Sequence, residues 1–103
     1  MMGSQRKELT TDKEKRCYVQ NPNIAERSID DAVFLVDPGT DIVFYLDSLG
    51  TGIWHLLKEP VSMTDATRVV QQAFPEMPPE EIARDVSTLI SDMSRRNLVL
   101  NVE

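Results

Sequence analysis

Asp41 to Pro60, DIVFYLDSLGTGIWHLLKEP, is the stretch that decides how the rest of this chain is organised. It passes from an uncharged run of β-type residues, Ile42 to Leu46, straight into a helical pattern that starts near Ser48 and holds the only tryptophan, Trp54. Leu49, Ile53, Leu56 and Leu57 fall at i, i+4, i+7 and i+8, one stripe of a helix. Asp47 or Ser48 supplies the acceptor for its first turn. Gly50 and Gly52 each cost about 1 kcal/mol relative to Ala inside a helix. They therefore signal either close packing against another element or a loosely wound first turn. Lys58-Glu59-Pro60 ends the pattern.

Toward the N-terminus, Asp37-Pro38-Gly39-Thr40 is turn chemistry, with Pro pre-setting φ and Gly supplying φ > 0. Before it stands Ala32 to Val36, then the tight turn Asp30-Asp31, then Ile24 to Ile29 with Glu26 and Arg27 in its middle, preceded by the turn Asn21-Pro22-Asn23. The reading is a three-strand meander. Its outer strands are edges, which proteins ordinarily blunt with charge, Pro or a bulge. Glu26 and Arg27 blunt the first; Ile42 to Leu46 carries no such protection. Residues 1–16 hold one large apolar residue after their methionines, Leu9, and mixed charges; 1–17 read as a disordered tail and 18–103 as one domain.

Toward the C-terminus, Ser62 and Asp65 open a capping pattern, and Met63, Ala66, Val70, Ala73 and Phe74 form the inner face of a second helix that Pro75 stops. Pro79 suits the first position of a third helix, with Glu80 and Glu81 behind it. Ile82, Val86, Leu89, Ile90 and Met93 form its stripe, Asn97 its C-terminal cap, and Leu98 to Val102 a last extended piece. The fold class is α+β, a three-stranded antiparallel sheet followed by three helices, like a winged helix-turn-helix.

At 103 residues one modest core is expected. No run approaches the ~18 apolar residues of a membrane span, and charged residues stand where a signal peptide needs an apolar stretch. The expected location is cytoplasmic. The single cysteine, Cys17, excludes an internal disulfide and any CxxC motif. Residues 1–16 hold five basic and three acidic side chains, so the body carries more than the whole chain's net charge of -6. Such an acidic body argues against nucleic acid or anionic lipid as the main partner.

Catalysis is poorly provided for. His55 has no second histidine or suitably spaced cysteine to share a metal, and Asp30-Asp31 and Glu80-Glu81 are explained as turn and helix-start chemistry. No phosphate loop, nucleophile elbow or zinc motif occurs, so neither enzyme activity nor a metal or cofactor is expected. A winged-helix DNA-binding regulator is one alternative, but the helix that would enter the groove opens with Glu80 and Glu81 and adds Asp85 and Asp92. An apolar, uncharged edge strand beside an amphipathic helix suits β-augmentation, in which a guest segment adds a strand. A self-associating structural domain, with Ile42 to Leu46 as a homodimer seam, fits these residues as well.

Leu46-Asp47-Ser48-Leu49-Gly50-Thr51-Gly52-Ile53-Trp54-His55-Leu56-Leu57 resembles the "LNxTGxxIWxLL" stretch of PqqD-like proteins, the family of the peptide chaperone of pyrroloquinoline quinone biosynthesis. Leu46, Gly50, Ile53, Trp54, Leu56 and Leu57 carry the likeness. Ser62 to Phe74 and the Glu81, Val86, Leu89, Leu98, Val99 pattern resemble the family's second helix and its ending, so the similarity runs from about Ile24 to Leu100. Asp47 replaces the usual Asn, Leu49 the usual Thr and Asn97 the usual Gly. Asp can cap a helix and Asn tolerates αL.

The resemblance implies a RiPP recognition element without catalytic activity or cofactor. Such a domain binds the leader segment of a ribosomally made precursor peptide as an added strand and presents it to a modifying enzyme, such as a radical SAM protein or a leader peptidase. Carried onto this chain, the guest pairs with Ile42, Val43, Phe44, Tyr45 and Leu46. The third helix forms the other wall through Ala83, Val86, Ser87 and Ile90, with Arg84 and Arg95 available to acidic guest residues.

Overall fold

The computed structural model describes residues 16–102. The expected tail lies outside the described residues as far as residue 15, and its boundary moves, because Cys17 already opens the first strand. In chain order the elements are β1 (Cys17–Gln20), β2 (Ala25–Ile29), β3 (Ala32–Asp37), β4 (Ile42–Leu46), α1 (Ser48–Leu56), β5 (Val61–Ser62), α2 (Met63–Ala73), α3 (Pro79–Arg95) and β6 (Val99–Val102).

The expected meander is present as an antiparallel sheet of order β2-β3-β4. A second antiparallel sheet, β5-β1-β6, joins the two ends of the described chain, with Tyr18 opposite Asn101 and Gln20 opposite Val99. It was not legible in the sequence: β1 is four residues long, β5 only two, and their partners lie far away along the chain. Beyond β1 the Gln20 amide donates its N–H to Leu57 O at 2.8 Å, and its side chain donates to Trp54 O at 2.7 Å. The start of the fold is thereby tied to the end of α1.

Turn chemistry sets the meander's hairpins. Asp30 takes the left-handed conformation (φ 56°) between β2 and β3. In the β3–β4 turn the expected role of Gly39 is corrected: Asp41 (φ 60°), not glycine, adopts the left-handed conformation. Asp37 explains why. Its carbonyl accepts from Asp41 N at 2.7 Å and its Oδ1 from Gly39 N at 3.0 Å, so the chain closes one residue later than a four-residue turn would. Aspartate is among the few residues that enter αL without glycine's freedom.

Opposed residues share a face of a sheet. Val33, Leu35, Phe44 and Leu46 face the helices, as does Glu26, which stands opposite Leu35. Phe34 and Tyr45 lie on the outer face, their rings 5.6 Å apart and tilted by 58°.

The helices begin and end as their sequences dictate. Asp47 Oδ1 accepts from Gly50 N at 2.7 Å at the start of α1, and Ser62 Oγ from Asp65 N at 3.1 Å at the start of α2. Pro79 and the two glutamates open α3. At its end Asn97 (φ 62°) donates to Ser94 O at 3.1 Å and Leu98 to Met93 O at 2.9 Å, a Schellman arrangement. Ile53, Trp54 and Leu57 of the α1 segment, Ala66 and Val70 of α2, and Ile82, Val86, Ile90 and Met93 of α3 close over Leu35, Leu46, Leu98 and Val99 to make the core. Each large side chain buried this way contributes about 1.5–3 kcal/mol. That exceeds the propensity cost of any single residue in these helices.

Candidate functional site

β4 pairs with β3 on one side and has no strand partner on the other among the described residues. In an antiparallel ladder, alternate residues aim their N–H and C=O groups at the partner strand and the others aim theirs away. The outer edge of β4 therefore carries backbone donors and acceptors suited to a further strand. Its side chains alternate. Val43 and Tyr45 are 60% and 59% exposed, Phe44 is half-buried, and Leu46 is 2% exposed.

α3 reaches β4 at one end and the start of α1 at the other, where a shallow groove separates the two helices. At one end the Arg96 guanidinium lies 5.3 Å from the centroid of the Phe44 ring, a cation–π contact. At the other, Leu89, Asp85 and Thr88 face Leu49 and Gly50 at the start of α1. Gly50 is what lets the elements come so close. A Cβ there would stand 3.2 Å from Leu46 Cδ2, 3.2 Å from Asp47 Oδ1 and 3.5 Å from Leu89 Cδ2, whereas one on Gly52 would meet nothing within 4 Å. Of the two readings of these glycines, close packing is right for Gly50 alone.

Asp92 on the same helix face accepts from Arg95 at 2.7 Å and from Arg96 at 3.2 Å. The Arg95 hydrogen bond is the main reason its carboxyl is held below the usual range. Asp85 and Arg84, beside the start of α1, have no ion-pair partner among the described residues.

The geometry redraws part of the expected site. Ile42, Val43, Phe44 and Tyr45 lie on the edge strand, while Leu46 points its side chain into the core and offers only backbone. Val86 and Ile90 are corrected: both are fully buried on the stripe that faces the sheet and the other helices, so neither side chain can touch a guest. Ala83 faces α2 beside Met63, Thr67 and Gln71. Ser87 is exposed, and Arg95 is already engaged by Asp92. The side of α3 toward the start of α1 and the end of β4 is instead the neighbouring stripe of Asp85, Leu89, Asp92 and Arg96. A sharper signal was available, since residues 85, 89, 92 and 96 also repeat at helical spacing and mix charge with one leucine, as a groove wall does and a core does not.

Glu26 fixes the meander against α1. Its Oε1 accepts from the Trp54 indole at 3.0 Å, and its Oε2 lies 2.9 Å from His55 Nε2. The His55 hydrogen bond, with a smaller contribution from Trp54, holds the Glu26 carboxyl below its ordinary value of 4.5, against partial burial acting the other way. Thus the residue expected to blunt the edge of β2 also anchors the sheet, and His55 has a hydrogen-bonded structural role. Among the described residues no group of three potential metal ligands converges, and no helix is long and apolar enough to cross a membrane.

The profile of the family described as coenzyme PQQ synthesis protein D (PqqD) matches residues 32–99, which takes in β3, β4, all three helices and the first residue of β6. No relative was found among curated proteins. Among solved structures, TbiB1 in complex with the TbiA(beta) leader peptide is similar with a TM-score of 0.67 and 22% identity, over 79% of this chain and 93% of that one. Lasso peptide synthetase B1 complexed with the leader peptide is similar with a TM-score of 0.68 and 18% identity, over 81% of this chain and 96% of that one. At such identities the likeness is one of fold.

Proposed function

This chain belongs to the PqqD family, and from that premise we propose that it is a RiPP recognition element: a non-catalytic module that binds the leader segment of a ribosomally made precursor peptide and presents the remainder to a modifying enzyme. The observation that carries this reading is the edge of β4 that has no strand partner among the described residues, next to the groove between α3 and the start of α1. A guest laid there continues the antiparallel sheet through main-chain hydrogen bonds, while its alternate side chains enter the groove and give specificity. Two solved proteins of this fold are held with leader peptides, which supports the same use of it here. The modifying enzyme belongs to the radical SAM or leader-peptidase class, and the site of action is the cytoplasm.

The test is a titration of labelled protein with the leader segment of a short precursor frame sought beside its gene, read by amide shifts and repeated on single proline variants at Val43, Phe44 and Tyr45. A proline whose N–H faced the open edge removes a guest hydrogen bond and leaves the fold intact; one whose N–H served β3 weakens the sheet itself. The expected result is shifts along β4 and the Asp85 to Arg96 stripe, abolished by at least one proline variant that still folds. Shifts confined to other surfaces, or binding indifferent to every folded proline variant, refute strand addition.

A further inference from the structure

Resting on that reading, we infer that the groove selects its guest by charge order: a basic residue first and an acidic residue four or six positions later, with an aliphatic side chain between them on the same face. The walls of the groove are not uniform. The groove by the start of α1 is lined by three carboxylates, Asp47, Asp85 and Asp92, and one guanidinium, Arg84. Near Phe44 the sign reverses, because Asp92 is already engaged by Arg95 and Arg96 and the group presented over the ring is the Arg96 guanidinium. Between them lies an apolar stretch of Leu49 and Leu89, closed below by Gly50.

The spacing follows from helix geometry. Asp85 and Arg96 are separated by three turns of α3, or ~16 Å at 1.5 Å per residue. An extended guest covers that distance in about five residues at ~3.3 Å each, and because only alternate guest side chains face α3 the interval between two recognised charges is even, four or six. The interval exceeds the ~8 Å screening length at physiological ionic strength, so the two ends act as separate recognition points. Direction follows from the sheet β2-β3-β4, in which both pairings are antiparallel. β4 runs from the Arg96 end toward Asp47, so a guest antiparallel to it meets the carboxylates first and the guanidiniums later. Asp41, just before β4, adds a register stop, since an acidic guest residue slipped beyond Phe44 would meet a like charge.

The probe is a display library of random peptides about twelve residues long, which exceeds the span of the groove, selected on the full-length chain. Selected peptides are then synthesised with their charges as found and with Lys and Glu exchanged. The expected enrichment is Lys or Arg four or six residues before Asp or Glu, with Leu, Ile or Val between them at an even number of positions from each. Exchange of the charges is expected to weaken binding on the order of tenfold, as two solvent-facing pairs become like-charge contacts. The double variant Asp85→Lys, Arg96→Glu, checked for folding by Trp54 fluorescence, is expected to prefer the exchanged peptides. Peptides whose binding is lost on proline substitution in β4 but is indifferent to charge, or which carry the acidic residue first, overturn the charge order and leave strand addition standing. No enrichment, or enrichment untouched by proline in β4, overturns both.

Discussion

Replacing Glu26 offers the sharpest check on how the meander is held to the helices. Trp54 is 1% exposed, and its indole N–H donates to Glu26 Oε1. In Glu26→Ala that donor loses its acceptor at a buried site, which costs about 1–3 kcal/mol. Loss of the His55 contact adds a few tenths, because that side of the carboxylate is open to solvent. The sum is about 2 kcal/mol, or roughly 8–16 °C in melting temperature for a domain of this size. Glu26→Gln keeps an amide oxygen for the indole and loses only the charge assistance, about 0.5–1 kcal/mol. The difference between the two variants isolates the buried indole bond. Urea unfolding followed by the single tryptophan and by far-ultraviolet circular dichroism measures both. The same pair also reports on pH. Because Glu26 is held below its ordinary 4.5, folding favours the ionised form. Its contribution is complete above that value and fades as pH falls through the lower folded value. The gap between wild type and Glu26→Gln should therefore narrow in acid below about pH 4. If Glu26→Ala and Glu26→Gln cost the same, the indole bond does not anchor the sheet. If the gap persists unchanged in acid, the charge is not what Gln removes.

The glycines of α1 should behave oppositely. Gly52→Ala meets nothing and should raise stability by about 0.5–1 kcal/mol, whereas Gly50→Ala has to displace Leu46 and Asp47 and should fall short of that gain by at least as much. Equal gains from both, measured by urea unfolding, refute the close approach at Gly50. On α3, Ile90→Ala opens a cavity in the core and should cost about 2–5 kcal/mol. Leu89→Ala, at the groove, should cost less than half as much and act instead on guest affinity. The reverse ranking would mean that the two stripes of α3 have been exchanged.

The order of elements could be read from the residues because it depends on local chemistry. The period of Ile82, Val86, Ile90 and Met93, the caps at Asp47 and Ser62, and the turns at Asp30 and Asp37 each act within a few residues of chain. Asn97 as the stop of α3 is of the same kind, since αL tolerance belongs to the side chain itself. The stretch around Trp54 also carried the family, because its leucines and Gly50 fix the packing of one helix start against one strand.

What the sequence by itself determined was therefore three helices, the meander and an edge strand without charge. Which side of α3 looks at that strand was decided only by tertiary structure. A helix with one clean apolar stripe fixes its burial, but the stripe that becomes a groove wall depends on where the neighbouring sheet comes to rest. Here that position is set by contacts distant in sequence: Glu26 on Trp54 and His55, Gly50 beneath Leu89, and Arg96 over Phe44. The pairing of β1 with β6 is of the same nature. Two short segments at opposite ends of the domain have little strand character alone, and they become a sheet because the packed helices bring them together.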